Sequence, residues 1–114
     1  MATMTQVREY TEFARVMTEE FGAAIQPGSL EEVIRHAGAL ERINEADCNG
    51  PEDLSGRRAK REERLQAQIT MIVAAWGGRV KFNGDPRGYA VRIILPSGRY
   101  NTMGGREEGW GVPS

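Results

Sequence analysis

Three groups of residues invite a chemical reading. His36, Asp47 and Cys48 have the side-chain types of a thiol nucleophile with its base. That chemistry needs the imidazole within hydrogen-bond reach of the sulfur and a third group to orient it. Here Cys48 falls in a turn-rich stretch a dozen residues after His36, and nothing nearby supplies an oxyanion hole. The glycine pairs Gly77-Gly78 and Gly104-Gly105 lack the strand–glycine loop–helix order that cradles phosphate, and Gly77-Gly78 ends a helical pattern instead of starting one. No carboxylates take glycosidase or metal-ligand spacing, and one cysteine with one histidine is too few for a zinc site. The sequence therefore carries no enzyme signature, and no cofactor is implied.

The third group is cationic. Arg57, Arg58, Lys60, Arg61 and Arg64 crowd eight positions, interrupted by Glu62 and Glu63. Arg57, Arg61 and Arg64 share a helix face at this spacing. Cations at a helix start oppose its macrodipole and cost a few tenths of a kcal/mol each, so a run of them hints at a role outside folding. Arg87, in an Asp-Pro-Arg-Gly turn, and Trp110, in a glycine-rich tail, are the other candidates, because turns present side chains and Arg and Trp dominate interface hot spots.

Charge is divided along the chain. Residues 1–54 hold four Lys/Arg against eleven Asp/Glu, and residues 55–114 hold eleven against five, although the total is −1. Such asymmetry suits a partner surface or two halves that pack together. A total of −1 is too little for a whole-protein mimic of duplex DNA.

These residues need elements to hold them. The 114 residues fit a single domain, residues 1–114, with an acidic helical part (1–54) and a basic helix plus sheet (55–114). Val7, Tyr10, Ala14, Met17 and Phe21, widened by Phe13 and Val16, predict an amphipathic helix over about 5–21. Ser29 with Glu32 reads as a capping box opening a second helix to Asn44 or Glu45, its apolar face Leu30, Val33, Ile34, Ala37, Leu40 and Ile43. Residues 46–56 read as a loop. A third helix starts near Ser55 and stops at Gly77-Gly78. Its first half is charged, and its second half carries Leu65, Ile69, Ile72, Val73 and Trp76.

After Gly78 the period falls to two. Val80 and Phe82, then Tyr89, Val91, Ile93 and Leu95, predict one apolar sheet face, with Arg79, Lys81 and Arg92 opposite. Asp85-Pro86-Arg87-Gly88 fits a type I turn, Pro96-Ser97-Gly98 a second turn, and Arg99–Thr102 a third strand, with the tail adding a short edge strand or lying along the sheet. The expected class is α+β: three helices followed by a small antiparallel meander, the helices on one sheet face. No apolar run approaches the ~20 residues of a membrane span, and the first residues lack a signal-peptide layout, so cytoplasm is the expected location.

Gly84-Asp85-Pro86-Arg87-Gly88-Tyr89 with its strands, preceded by Asn44-Glu45 and Asp47-Cys48-Asn49-Gly50, resembles a set of small bacteriophage and prophage proteins in which a helix ending in Cys, then Asn or Gly, then Gly, a variable loop, a charged helix and an Asp-Pro-Arg-Gly hairpin follow in order. The resemblance spans roughly residues 40–112, leaves out the acidic first helix, and meets a shorter loop at 51–55. It implies phage origin. Phage proteins of this size commonly bind and block host machinery, anti-CRISPR proteins among them.

The first expectation is thus a non-enzymatic inhibitor of a host defence complex such as a CRISPR-Cas effector, using Arg57, Arg58, Arg61, Arg64, Arg87 and Trp110, with the acidic helix as an alternative face. The second is a small nucleic-acid-binding regulator using the basic helix 57–64 and the Arg79, Lys81, Arg92 row. Against it, Phe82 and Tyr89 alternate onto the apolar face, whereas base-stacking sheets show aromatics on the open one. A homodimer pairing Ile94 and Trp110 between copies is a third.

Overall fold

A computed structural model describes residues 4–85, 88–105 and 108–113, and side chains from Glu12 onward except that of Asp85. Three helices, α1 (Met4–Phe21), α2 (Ser29–Asn49) and α3 (Arg57–Ala75), precede four strands, β1 (Arg79–Asp85), β2 (Gly88–Ile94), β3 (Tyr100–Met103) and β4 (Gly109–Gly111). The strands form one antiparallel sheet in the order β1-β2-β3-β4. The class is α+β, as the change of period requires.

The apolar stripes meet in one core. Phe13, Val16, Met17 and Phe21 of α1, Leu30, Val33, Leu40 and Ile43 of α2, and Leu65, Ile69, Val73 and Trp76 at α3 are buried together with Tyr89, Val91, Ile93 and Leu95. The sheet pairs Val80 with Ile93 and Phe82 with Val91, so the inner face is the one that alternation assigns. Val7 and Tyr10, the first positions of the α1 stripe, lie outside the described side chains. Phe21 and Trp76 pack with ring centroids 5.6 Å apart, joining the end of α1 to that of α3. The tail supplies β4, and Trp110 reaches inward to Phe13 at 6.1 Å.

The helix boundaries differ from the sequence reading in three places. At α2 the capping box does not form. Gly28 is the N-cap (φ 82°), so Ser29 is already helical and its hydroxyl donates to the Gln26 carbonyl at 2.7 Å. The Glu32 carboxylate lies 3.4 Å from His36 Nε2 instead. The turn Gln26-Pro27-Gly28 sets this register, closed by the Ser29 N–H on the Gln26 carbonyl. At its other end α2 continues to Asn49, so Asp47 and Cys48 are helical. Turn propensity is a weak prior, and here a contact from α3 holds the last turn. Finally, α3 begins at Arg57, two residues after Ser55.

The end of α3 follows its glycines. The Gly77 N–H donates to the Ala74 carbonyl and the Gly78 N–H to the Val73 carbonyl, both at 3.0 Å. That is a Schellman closure, with Gly77 in the left-handed region (φ 91°). We expect Gly77→Ala to lower the unfolding free energy by about 1–2 kcal/mol, read by denaturant titration, with Gly77→Asn costing less.

Candidate interaction surface

The two halves of α3 have different surroundings. From Leu65 onward the helix lies on the sheet. Gln66 Nε2 donates to the Tyr89 hydroxyl at 2.6 Å, and Tyr89 faces Gly84 beside the β1–β2 turn. Burial raises the Tyr89 phenol above its usual range, a shift that the Gln66 hydrogen bond opposes, so it accepts that bond as a neutral group. Val73, at the other end, packs near Gly78. The first turns of α3 therefore run past the hairpin end of the sheet. At 1.5 Å per residue, Arg57 stands about 14 Å beyond Gln66.

On this projecting segment Arg57, Lys60, Arg61 and Arg64 are exposed and fall within about 100° of arc. None of the four has an ion pair among the described residues. Glu62 turns the other way, toward Gln66, whose amide lies 3.5 Å from its carboxylate.

Arg58 is not part of that row. It shares the helix face of Leu65, seven residues on, and so points at the neighbouring helix. Its Nε lies 3.4 Å from Asp47 and 3.7 Å from Asp53, and an Nη donates to the Pro51 carbonyl at 2.6 Å. Asp53 also caps the helix. It accepts from the Arg58 backbone N–H at 2.7 Å and from the Ser55 hydroxyl at 2.5 Å. The Ser55 hydroxyl in turn accepts from the Arg57 N–H at 3.2 Å. Two otherwise unsatisfied donors are thus met, and a carboxylate sits where the helix dipole favours one. A hollow of about 400 Å³ between the helices is lined by Asp47, Gly50, Glu52, Asp53, Gly56 and Arg58, which crosses it.

The other candidates lie elsewhere. Trp110 is half-buried on the inner face, with the Arg99 guanidinium 4.8 Å over its ring. β4 and β1 are opposite edges of the sheet, so Trp110 does not join the α3 row. Arg87 and Pro86 lie outside the described residues. Ile94 and Trp110 point to opposite sides of the sheet by register and cannot make the single patch a homodimer through both would need. The α3 row and the Arg79, Lys81, Arg92 row lie on opposite sides of the sheet, because α3 packs on its inner face.

His36 and Cys48 share one helix, about 18 Å apart along its axis, far beyond hydrogen-bond reach. Among the described residues no three His, Cys, Asp or Glu side chains gather as for a metal ion, and no helix is long and apolar enough to cross a membrane. Two residues escaped the sequence reading, one exposed and one half-buried. Met71 is 73% exposed on the outward side of α3. Tyr100 lies on the open face of the sheet, which the register around Pro96-Ser97-Gly98 fixes by pairing it with Ile94. Comparison with family models, curated proteins and solved structures gives no match.

The hydrogen bond from Ser55, then that from the Arg58 backbone, hold the Asp53 carboxyl below its ordinary range. A carboxyl with a depressed folded pKa stabilises fully above its unfolded value, near 3.9, and loses that stabilisation as pH falls through the folded one. Asp53→Asn is therefore expected to be less stable than the parent above about pH 5, with the gap closing on acidification. Denaturant midpoints across that range check it.

Proposed function

We propose that the chain is a phage-encoded, non-enzymatic binding protein that docks on an acidic surface of a host defence complex in the bacterial cytoplasm, a CRISPR-Cas effector being the first candidate, and blocks its working face. The observation that carries this reading is the row Arg57, Lys60, Arg61 and Arg64, exposed, without carboxylate partners among the described residues, and held out beyond the sheet.

Folding gives no reason for this row. Four cations in the first two turns oppose the helix dipole, and none covers apolar core. An acidic partner supplies what the chain withholds. Association would be fast at low salt and slower as salt screens it. The phage resemblance supplies the host setting, and Arg58 enters as the residue that orients the row.

The test mixes the purified chain with the host's purified CRISPR effectors and follows comigration on gel filtration together with target cleavage. The expected result is a stable complex and loss of cleavage. Arg57→Glu, Arg61→Glu and Arg64→Glu combined should weaken that complex about 100-fold or more without changing the melting temperature appreciably. Absence of a complex with every effector overturns the reading.

A further inference from the structure

Among the described residues no helix covers the outer face of the sheet, where Arg79 and Lys81 are exposed, Arg92 and Tyr100 half-exposed and Thr102 buried beneath them. All three helices meet the inner face, α1 through Phe13 and Trp110, α2 against β2 and α3 against β1. Register lays out what remains. One row runs Lys81, Arg92, Thr102, Gly109, and the next Arg79, Ile94, Tyr100, Gly111.

Two details of this face bear on a ligand. Lys81 stands directly opposite Arg92 in the β1–β2 pair, which puts two cationic side chains side by side on this face. Arg79 and Lys81 are exposed, and neither has an ion pair among the described residues. Next to them is a planar stack. The Arg92 guanidinium lies 4.4 Å over the Tyr100 ring while its Nε donates to the Thr102 hydroxyl at 3.0 Å. The Tyr100 ring rests across Gly111, where any Cβ would collide with it, so the glycine gives the ring a flat bed.

We infer that this outer face binds single-stranded nucleic acid, with phosphates on Arg79 and Lys81 and a base against the Arg92–Tyr100 stack. Non-specific single-strand sites combine a cationic track with aromatic and guanidinium planes. A flexible strand can lie flat along the sheet and reach both features. The planar stack distinguishes a base-bearing polyanion from a merely acidic protein, which needs only the charges. The face is separate from the α3 row and stands without it.

The test is fluorescence anisotropy with a labelled oligothymidine of about 12 nucleotides, its duplex counterpart and a polyglutamate peptide, at low salt and then along a salt series. The single strand should bind best, with log K against log salt falling at a slope near −1.4 for two phosphate contacts. Arg79→Gln with Lys81→Gln should make that slope shallower by about 1.4. Tyr100→Leu should weaken binding about tenfold and Tyr100→Phe hardly at all, with circular dichroism confirming that each variant folds. The inference is overturned by no binding at the lowest salt, by equal or tighter binding of the duplex or polyglutamate, or by undiminished binding of the Arg79/Lys81 variant. Binding lost only when Arg57, Lys60, Arg61 and Arg64 become Gln also overturns it and places the contact on α3.

Discussion

Arg58 is the constraint on which the presentation of α3 depends. The apolar stripe of that helix stops at Leu65, so nothing greasy fixes its first two turns. Their conformation rests on hydrogen bonds to Asp53 and Ser55 and on the guanidinium that links Asp47, Asp53 and the Pro51 carbonyl. Half-exposed ion pairs contribute little free energy individually. Their effect here is geometric. They tie the last turn of α2 to the first of α3, and the remaining cations then have only one way to point. One arginine of the cluster holds position, and among the described residues the others have no ion pair.

Much of the architecture could be read in the sequence because the relevant signals are periodic. The spacing of Phe13, Val16, Met17 and Phe21 and the alternation from Val80 to Leu95 each specify one buried face, and a register slip would exchange the faces of the sheet. Boundaries were less legible. Ser29 and Glu32 have the right types at the right spacing, but the Gly28 backbone starts the helix one step away. Asp47, Cys48 and Asn49 look like a turn locally and are helical because of a side chain from another element. Both cases turn on tertiary contacts that single-residue propensities do not contain.

The candidate surface divides in the same way. That Arg57, Arg61 and Arg64 share a face follows from helical spacing, and among the described residues none of them has an ion pair. That Arg58 does not belong with them follows from the seven-residue step to Leu65, a spacing that takes on meaning only once the buried stripe is located. Trp110 reads as a hot-spot residue by type, yet the parity of β4 turns it inward to Phe13. Tyr100 was overlooked because the faces of a four-residue strand are undefined until a neighbour fixes the register.

The order of the strands has one more effect. β1 and β4 are the sheet's terminal strands, and each such border carries backbone groups that could recruit another chain into the ladder. β1 bears Arg79 and Lys81, and stacking one such strand beside its copy would bring these cations together. β4 is only three residues long, and Pro113, which has no N–H to offer, follows soon after it. The charges and the imino acid thus protect the small sheet against runaway growth into fibrils.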